Sequence, residues 1–226
     1  MLGWSSQMPR AGGVPVGPAP GLRRLGGRRA GAGRAYPLAK RGFDLVGAGL
    51  LLVPLALAAL ALLALNPWLN RGRLFFVQER MGRHGRPFRA WKFRTMAAAP
   101  IERGAFDPLD RHRITPLGQL LRRARVDELP QALNVLKGEM SLIGPRPDYY
   151  PHALVYADTV PGYRDRHAVK PGISGLAQTE LGYADGPDGI RAKVQADLLY
   201  VRTASLALDL RIARKTLAVI LHRQGA

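Results

Sequence analysis

Two adjacent carboxylates, Asp127 and Glu128, stand a few residues after Arg122, Arg123 and Arg125, and Arg146 follows between Pro145 and Pro147. Acids held this close to guanidinium groups, in a chain of formal net charge +18, suit a phosphorylated anion and a divalent metal. A carboxylate at a helix start is expected to have a lowered pKa and to stay ionised, as a nucleophile at phosphorus requires. Its neighbour Glu128 is then placed to hold a magnesium ion against a diphosphate. Each residue also has a plainer explanation. Asp is among the preferred helix caps, and Glu in a first turn complements the helix dipole. Lys92 and Arg94 alternate with apolar neighbours as a strand does, so they share a face that is either solvated or turned to phosphate. The prolines around Arg146 stiffen it for a bidentate phosphate contact, or simply make a rigid surface turn. There is no glycine loop of the nucleotide-binding type, and the five histidines lack metal-ligand spacing.

The elements that must position these groups lie beyond residue 70. Leu74 to Val77 reads as a short buried strand, followed by a turn over Gly82 to Gly85 and a second strand near Phe88 to Phe93. Residues 97–114 read as a loop. Thr115 is placed to cap a helix that has Pro116 at its first position and runs to about Arg123. Asp127 is placed to cap the next helix, with Gly138 just past its end. Lys170 to Gly175 has the composition of a turn, and two helices, near Gly189 to Thr203 and Leu206 to His222, close the chain. The last is amphipathic, with Arg211, Arg214 and Lys215 among leucines, and either packs on the domain or lies on a bilayer surface. The expected class is α+β, predominantly helical.

Before this domain, Phe43 to Leu65 is almost wholly apolar, and as a helix it extends about 35 Å, enough to cross a bilayer. Pro54 lies at its midpoint, where a missing N–H and a ring clash predict a kink or break. Basic residues flank both ends, Lys40 and Arg41 before and Arg71, Arg73, Arg80 and Arg83 after, whereas a spanning helix favours a lopsided distribution. A helix that enters, bends and returns fits the flanks, and a straight span whose neighbours satisfy the freed carbonyl remains the other form. The first 40 residues hold seven Arg or Lys, no acid and much Gly and Pro, the composition of a disordered basic arm drawn to anionic lipid. Three regions are expected: 1–39 an arm, 40–68 a membrane helix, 69–226 a catalytic domain. With no cysteine, a disulfide framework, a zinc thiolate site and a thiol nucleophile are excluded.

Taken together these residues resemble the bacterial sugar transferases, specifically the small monotopic polyprenyl-phosphate phosphoglycosyl transferases. The resemblance covers nearly all of residues 40–222. It runs through Lys40-Arg41-Gly42-Phe43-Asp44, Gln78-Glu79-Arg80-Met81-Gly82, Lys92 to Met96, Arg122 and Asp127 to Gln131. Asn134 to Ser141, Gly144 to Pro147 and Lys170 to Gln178 complete it. It implies a re-entrant membrane helix broken at Pro54 and a domain on the cytoplasmic side of the bacterial inner membrane. It also implies a two-step reaction: Asp127 attacks the sugar-bearing phosphate of a UDP-sugar and releases UMP, and polyprenyl phosphate then takes the phosphosugar. In that scheme Asp127 and Glu128 also hold Mg²⁺, while Lys92, Arg94, Arg122, Arg146 and Gln178 bind substrate phosphate. The family's setting is exopolysaccharide, O-antigen or other glycoconjugate synthesis; no nucleic-acid partner is implied, and a homodimer is left open. The chain departs from the family at Arg125, where a small hydroxyl residue is usual, at Arg73-Leu74 in place of Gly-Pro, and at Ser174 in place of Thr. A non-enzymatic basic protein, membrane-anchored or binding nucleic acid, is the competing reading, and the apolar 43–65 run counts against a soluble nucleic-acid binder.

Overall fold

A computed structural model describes residues 35–69, 72–97, 104–107, 110–181 and 186–221. Most of the basic arm, residues 1–34, lies outside the described residues. The first element, α1 (Ala35–Leu69), begins inside the segment expected to be disordered and runs through Pro54 as one helix, so the proline does not divide it into two. Among the described residues it is the one helix long and apolar enough to cross a membrane. Leucines such as Leu50, Leu57, Leu60 and Leu63 face outward along it. Ala48, Leu51, Leu55, Ala58 and Leu62 recur every three or four residues and pack against the rest of the molecule. That stripe is fastened by polar groups at both ends. Lys40 pairs with Asp44 and Asp209, at 3.5 and 3.2 Å, and Tyr36 donates to Asp209. At the far end Asn66 donates to the Gly72 carbonyl at 2.6 Å.

Strands β1 (Phe75–Met81) and β2 (Pro87–Phe93) form an antiparallel hairpin in which Phe76 faces Lys92 and Arg80 faces Phe88; the start of β1, expected to be buried, is exposed at Phe75, Phe76 and Val77. Helix α2 (Pro116–Arg123) starts as expected: Thr115 accepts from the Gly118 N–H at 3.0 Å and Pro116 fills the first position. A side chain on Gly118 would strike the Thr95 backbone, so this glycine lets α2 press onto the end of the hairpin.

A 3₁₀ turn, Val126–Glu128, comes next, then α3 (Gln131–Lys137). Asp127 therefore does not cap a helix. It sits inside the turn, and Pro130, at the α3 N-cap, makes no side-chain cap bond. Helix α3 ends as expected at Gly138, whose φ of 83° is the left-handed conformation that glycine adopts without steric cost. Arg41 of α1 donates to the last carbonyls of α3, those of Val135 and Leu136.

The Lys170 to Gly175 run, expected to be a turn, contains a strand. β3 (Ser141–Ile143) pairs in parallel with β4 (Gly172–Ser174), with α4 (Tyr150–Thr159) and a 3₁₀ turn over Arg164–Ala168 in the crossover. Then follow α5 (Leu176–Glu180), α6 (Gly186–Thr203) and α7 (Leu206–Leu221), the last two close to the expected spans. The fold is α+β and mostly helical, with four apolar clusters among the described residues.

Candidate active site

The Val126–Glu128 turn is pinned from below and polar above. Val126 packs against the cluster of Leu62, Phe93 and Leu121, which ties the turn to the second half of α1, while Asp127 and Glu128 belong to no apolar cluster among the described residues. Arg125, just before it, has φ 56°, a left-handed conformation uncommon for a residue with a side chain. Asn134 of α3 ties the turn's surroundings to β2: its amide donates to the Arg89 carbonyl and to Glu139, and its oxygen accepts from the Trp91 N–H. The dyad and Lys92 are thereby held in register.

Both acids are buried, yet their surroundings differ. Glu128 is surrounded by cations: Lys92 at 2.7 Å, Arg146 through both of its terminal nitrogens, and Arg125 at 3.6 Å. Although burial alone raises its pKa, the Arg146 and Lys92 charges prevail and hold the carboxyl well below the usual range. Asp127 makes no hydrogen bond or ion pair among the described residues. Burial and the Glu128 charge raise its pKa, opposed by Lys92, Arg146 and Arg122. This reverses the lowering expected for a helix-capping carboxylate, because Asp127 is in a buried turn beside another acid. Lys92 is pushed down to about 8, chiefly by burial. Four cations, Lys92, Arg122, Arg125 and Arg146, surround two acids, and the surplus of two positive charges is the electrostatics of an anion site.

The other expected residues divide. Arg122 donates to the Thr95 hydroxyl at 3.0 Å and to the Met96 sulfur at 3.1 Å. Its charge acts on Asp127 without an ion pair, so it is presented to the site rather than consumed by it. Gln178 joins through a carbonyl it shares with Arg146, that of Ile173, and its own buried side-chain oxygen has no partner among the described residues. Arg94 is not brought to the dyad by its described bond: its Nε donates to the Arg73 carbonyl at 2.9 Å.

Several contributors escaped the sequence reading. Arg80 donates to the Pro147 carbonyl and to Gln78, and burial with the Arg146 charge lowers its pKa to about 10. Asp148 pairs with Arg166 and Lys193 and accepts from Tyr163. Arg166 also pairs with Asp197 at 2.6 Å and donates to the Arg146 carbonyl at 2.6 Å. The segment carrying Arg146 is thus clamped from α6 and from the turn after α4. The available signal was that Arg80 lies within, and Asp148 directly after, a motif already singled out, though neither was assigned a role there.

Among the described residues no three His, Cys, Asp or Glu side chains gather into a metal cage. A magnesium ion held by one or two carboxylates and substrate phosphates fits this donor set. Asp127 has oxygens to spare, whereas Glu128 would have to exchange a cation for the ion.

Residues 35–223 match the model of the family described as bacterial sugar transferase. The chain is 42% identical over 84% of its length to the UDP-N-acetylgalactosamine-undecaprenyl-phosphate N-acetylgalactosaminephosphotransferase of Aeromonas hydrophila, covering 45% of that protein. It is 37% identical over 76% of its length to the UDP-glucose:undecaprenyl-phosphate glucose-1-phosphate transferase of Klebsiella pneumoniae, covering 38% of it. It therefore spans less than half the length of these two relatives. It is also 38% identical over 81% of its length to the exopolysaccharide production protein PSS of Rhizobium leguminosarum, covering 96% of that protein. A family match over most of the chain falls on the same residues that build the dyad and its cation ring, and the chain belongs to the bacterial sugar transferase family.

Proposed function

We propose that this chain transfers a sugar 1-phosphate from a UDP-sugar to polyprenyl phosphate, the chemistry named for its Aeromonas and Klebsiella relatives with undecaprenyl phosphate as acceptor. The observation that carries this is the asymmetry of the dyad: one buried carboxylate saturated by cations, its neighbour bare inside their field.

An Asp127 oxygen attacks the sugar-bearing phosphorus. The bond from that phosphorus to the bridging oxygen breaks, and UMP leaves with the oxygen and its electron pair. A phosphate oxygen of the lipid then attacks the same phosphorus, the acyl phosphate bond breaks, and the Asp127 carboxylate is regenerated. Lys92, Arg122 and Arg146 offset charge on the phosphoryl oxygens in both steps. Glu128 holds Lys92 and Arg146 in place. Asp127 and, by exchange, Glu128 would hold Mg²⁺, which would supply further charge neutralisation when bound.

The helix belongs to this reading as a monotopic, re-entrant element at the inner leaflet of the cytoplasmic membrane. What supports it is that contacts from α1 to the domain run from Tyr36 to Asn66, on both sides of Pro54. A helix surrounded by lipid through its middle would have to give those contacts up. Pro54 then acts as a bend within one continuous helix.

UMP release tests the reaction. Purified full-length protein in detergent is supplied with a panel of UDP-sugars, first alone and then with polyprenyl phosphate. Stoichiometric UMP without acceptor, with a phosphosugar adduct found on Asp127 by mass spectrometry, is the expected result; no UMP from any donor overturns the proposal. For the topology, single cysteines at Ala35 and Asn70 are probed with a membrane-impermeant thiol reagent in intact cells. Protection of both is expected, and labelling of only one establishes a spanning helix.

A further inference from the structure

The hairpin leaves one aromatic residue unexplained. Phe75 stacks on Phe93 at 5.3 Å and meets Trp91 edge-on at 6.0 Å. Phe76, the next residue, joins none of the four apolar clusters and no ring pair among the described residues, and it is 46% exposed. It lies directly across the hairpin from Lys92, so the two side chains emerge on the same face about 5 Å apart at their Cβ atoms. Lys92 is the cation that holds Glu128 at 2.7 Å. An exposed phenyl ring thus stands beside the cations of the dyad.

The apolar helix that precedes the hairpin is its near neighbour in the chain. β1 starts a few residues after α1 ends, and the Asn66–Gly72 bond keeps the two junctions together. Leu63, Leu65, Trp68 and Leu69 at that end of α1 are all exposed. Leu74 and Val126 pack on the apolar cluster that Leu55, Ala58 and Leu62 of α1 also build, so the helix and the dyad turn share one side-chain cluster.

Building on the transferase reading, we propose that Phe76 receives the first isoprene units of the lipid acceptor as its phosphate reaches Lys92 and the dyad. The acceptor must bring a phosphate into a cationic pocket while its chain stays in an apolar phase. Phe76 is placed where those two requirements meet. The uracil of the donor is the less fitting occupant, because the hydrogen-bonding residue next along this face, Gln78, is already engaged by Arg80. A bilayer contact alone would not call for a ring opposite Lys92.

The test compares wild type, Phe76→Leu and Phe76→Ser at full length in detergent micelles, with UDP-sugar and undecaprenyl phosphate varied separately. Losing the phenyl contact raises the acceptor KM of Phe76→Ser about tenfold relative to its donor KM, and Phe76→Leu recovers most of that loss. Equal melting temperatures exclude a folding defect, and if Phe76→Ser does not fold, the Leu variant with an acceptor of two isoprene units gives the same comparison. A rise confined to the donor KM assigns the ring to the base and overturns the proposal. So does weaker binding to anionic vesicles with acceptor KM unchanged, which makes the ring a membrane contact only. Wild-type protein that releases no UMP would instead strike the transferase reading itself.

Discussion

Two buried ionic clusters lie on either side of Arg146, and they are built on opposite principles. In the cluster behind it, Asp148 and Asp197 meet Arg166, Lys193 and the Tyr163 hydroxyl, and each acid has a cation of its own. In front of it, among the described residues, Glu128 takes three cations while Asp127 takes none. The closed cluster serves position: its Arg166 grips the Arg146 carbonyl. The open one keeps a reactive oxygen and a surplus of positive charge. A buried charge left without a partner is costly, so a fold that retains one has a use for it.

The sharpest break of this contrast is Asp127→Asn. The amide is nearly isosteric, and with no bond to lose the protein stays folded while turnover falls by orders of magnitude. A residual rate above about a tenth of wild type, a loss of only ~1.4 kcal/mol, overturns the nucleophile assignment. The mirror experiment is Arg166→Met, which leaves buried Asp148 and Asp197 undercompensated and should lower stability by about 3–5 kcal/mol in denaturant melts.

Protonation sharpens the contrast further. Activity should rise with pH as Asp127 ionises, at a pH above the ordinary carboxylate range, and fall as Lys92 loses its proton near pH 8. Lys92→Arg should move that alkaline limb upward, because a guanidinium stays charged; an unmoved limb assigns it to another group. Excess EDTA should abolish turnover, and Glu128→Gln should lower the rate together with its Mg²⁺ dependence; full activity in EDTA removes the metal from the scheme. Arg125→Ser should do least. Its guanidinium is the most distant of Glu128's cations and partly exposed, so a rise of a few fold in donor KM with unchanged melting is expected.

What the sequence disclosed, and what it hid, follows from the range of the signals. Thr115 and Pro116 announce α2 because capping is local, and Gly138 closes α3 for the same reason. Asp127 misleads because a capping residue and an acid in a 3₁₀ turn look alike until the turn is seen. β3 and β4 are three residues each and pair in parallel across about thirty residues, too short for any periodicity to show. The Asp148, Arg166 and Asp197 cluster is invisible for a similar reason, since isolated charges far apart in the chain read as solvated until the fold buries them. The dyad, Lys92, Arg122 and Arg146 were legible because residue type and family resemblance pointed to the same positions.

The stripe of α1 turned to the protein has a practical consequence. Ala48 and Leu51 complete one apolar cluster with Phe88, Val135 and Met140; Leu55 and Leu62 complete another with Phe93 and Leu121. The helix that is long and apolar enough to cross a membrane is therefore also a wall of the interior. Deleting residues 35–69 to obtain a water-soluble enzyme would open both clusters to solvent and leave the Val126–Glu128 turn without its floor. Expression strategies should keep the helix and shield its outer leucines with detergent or nanodiscs. The same dependence orders biosynthesis: α1 leaves the ribosome before the Val126–Glu128 turn, and the turn acquires its final shape only when the later chain folds back onto the helix.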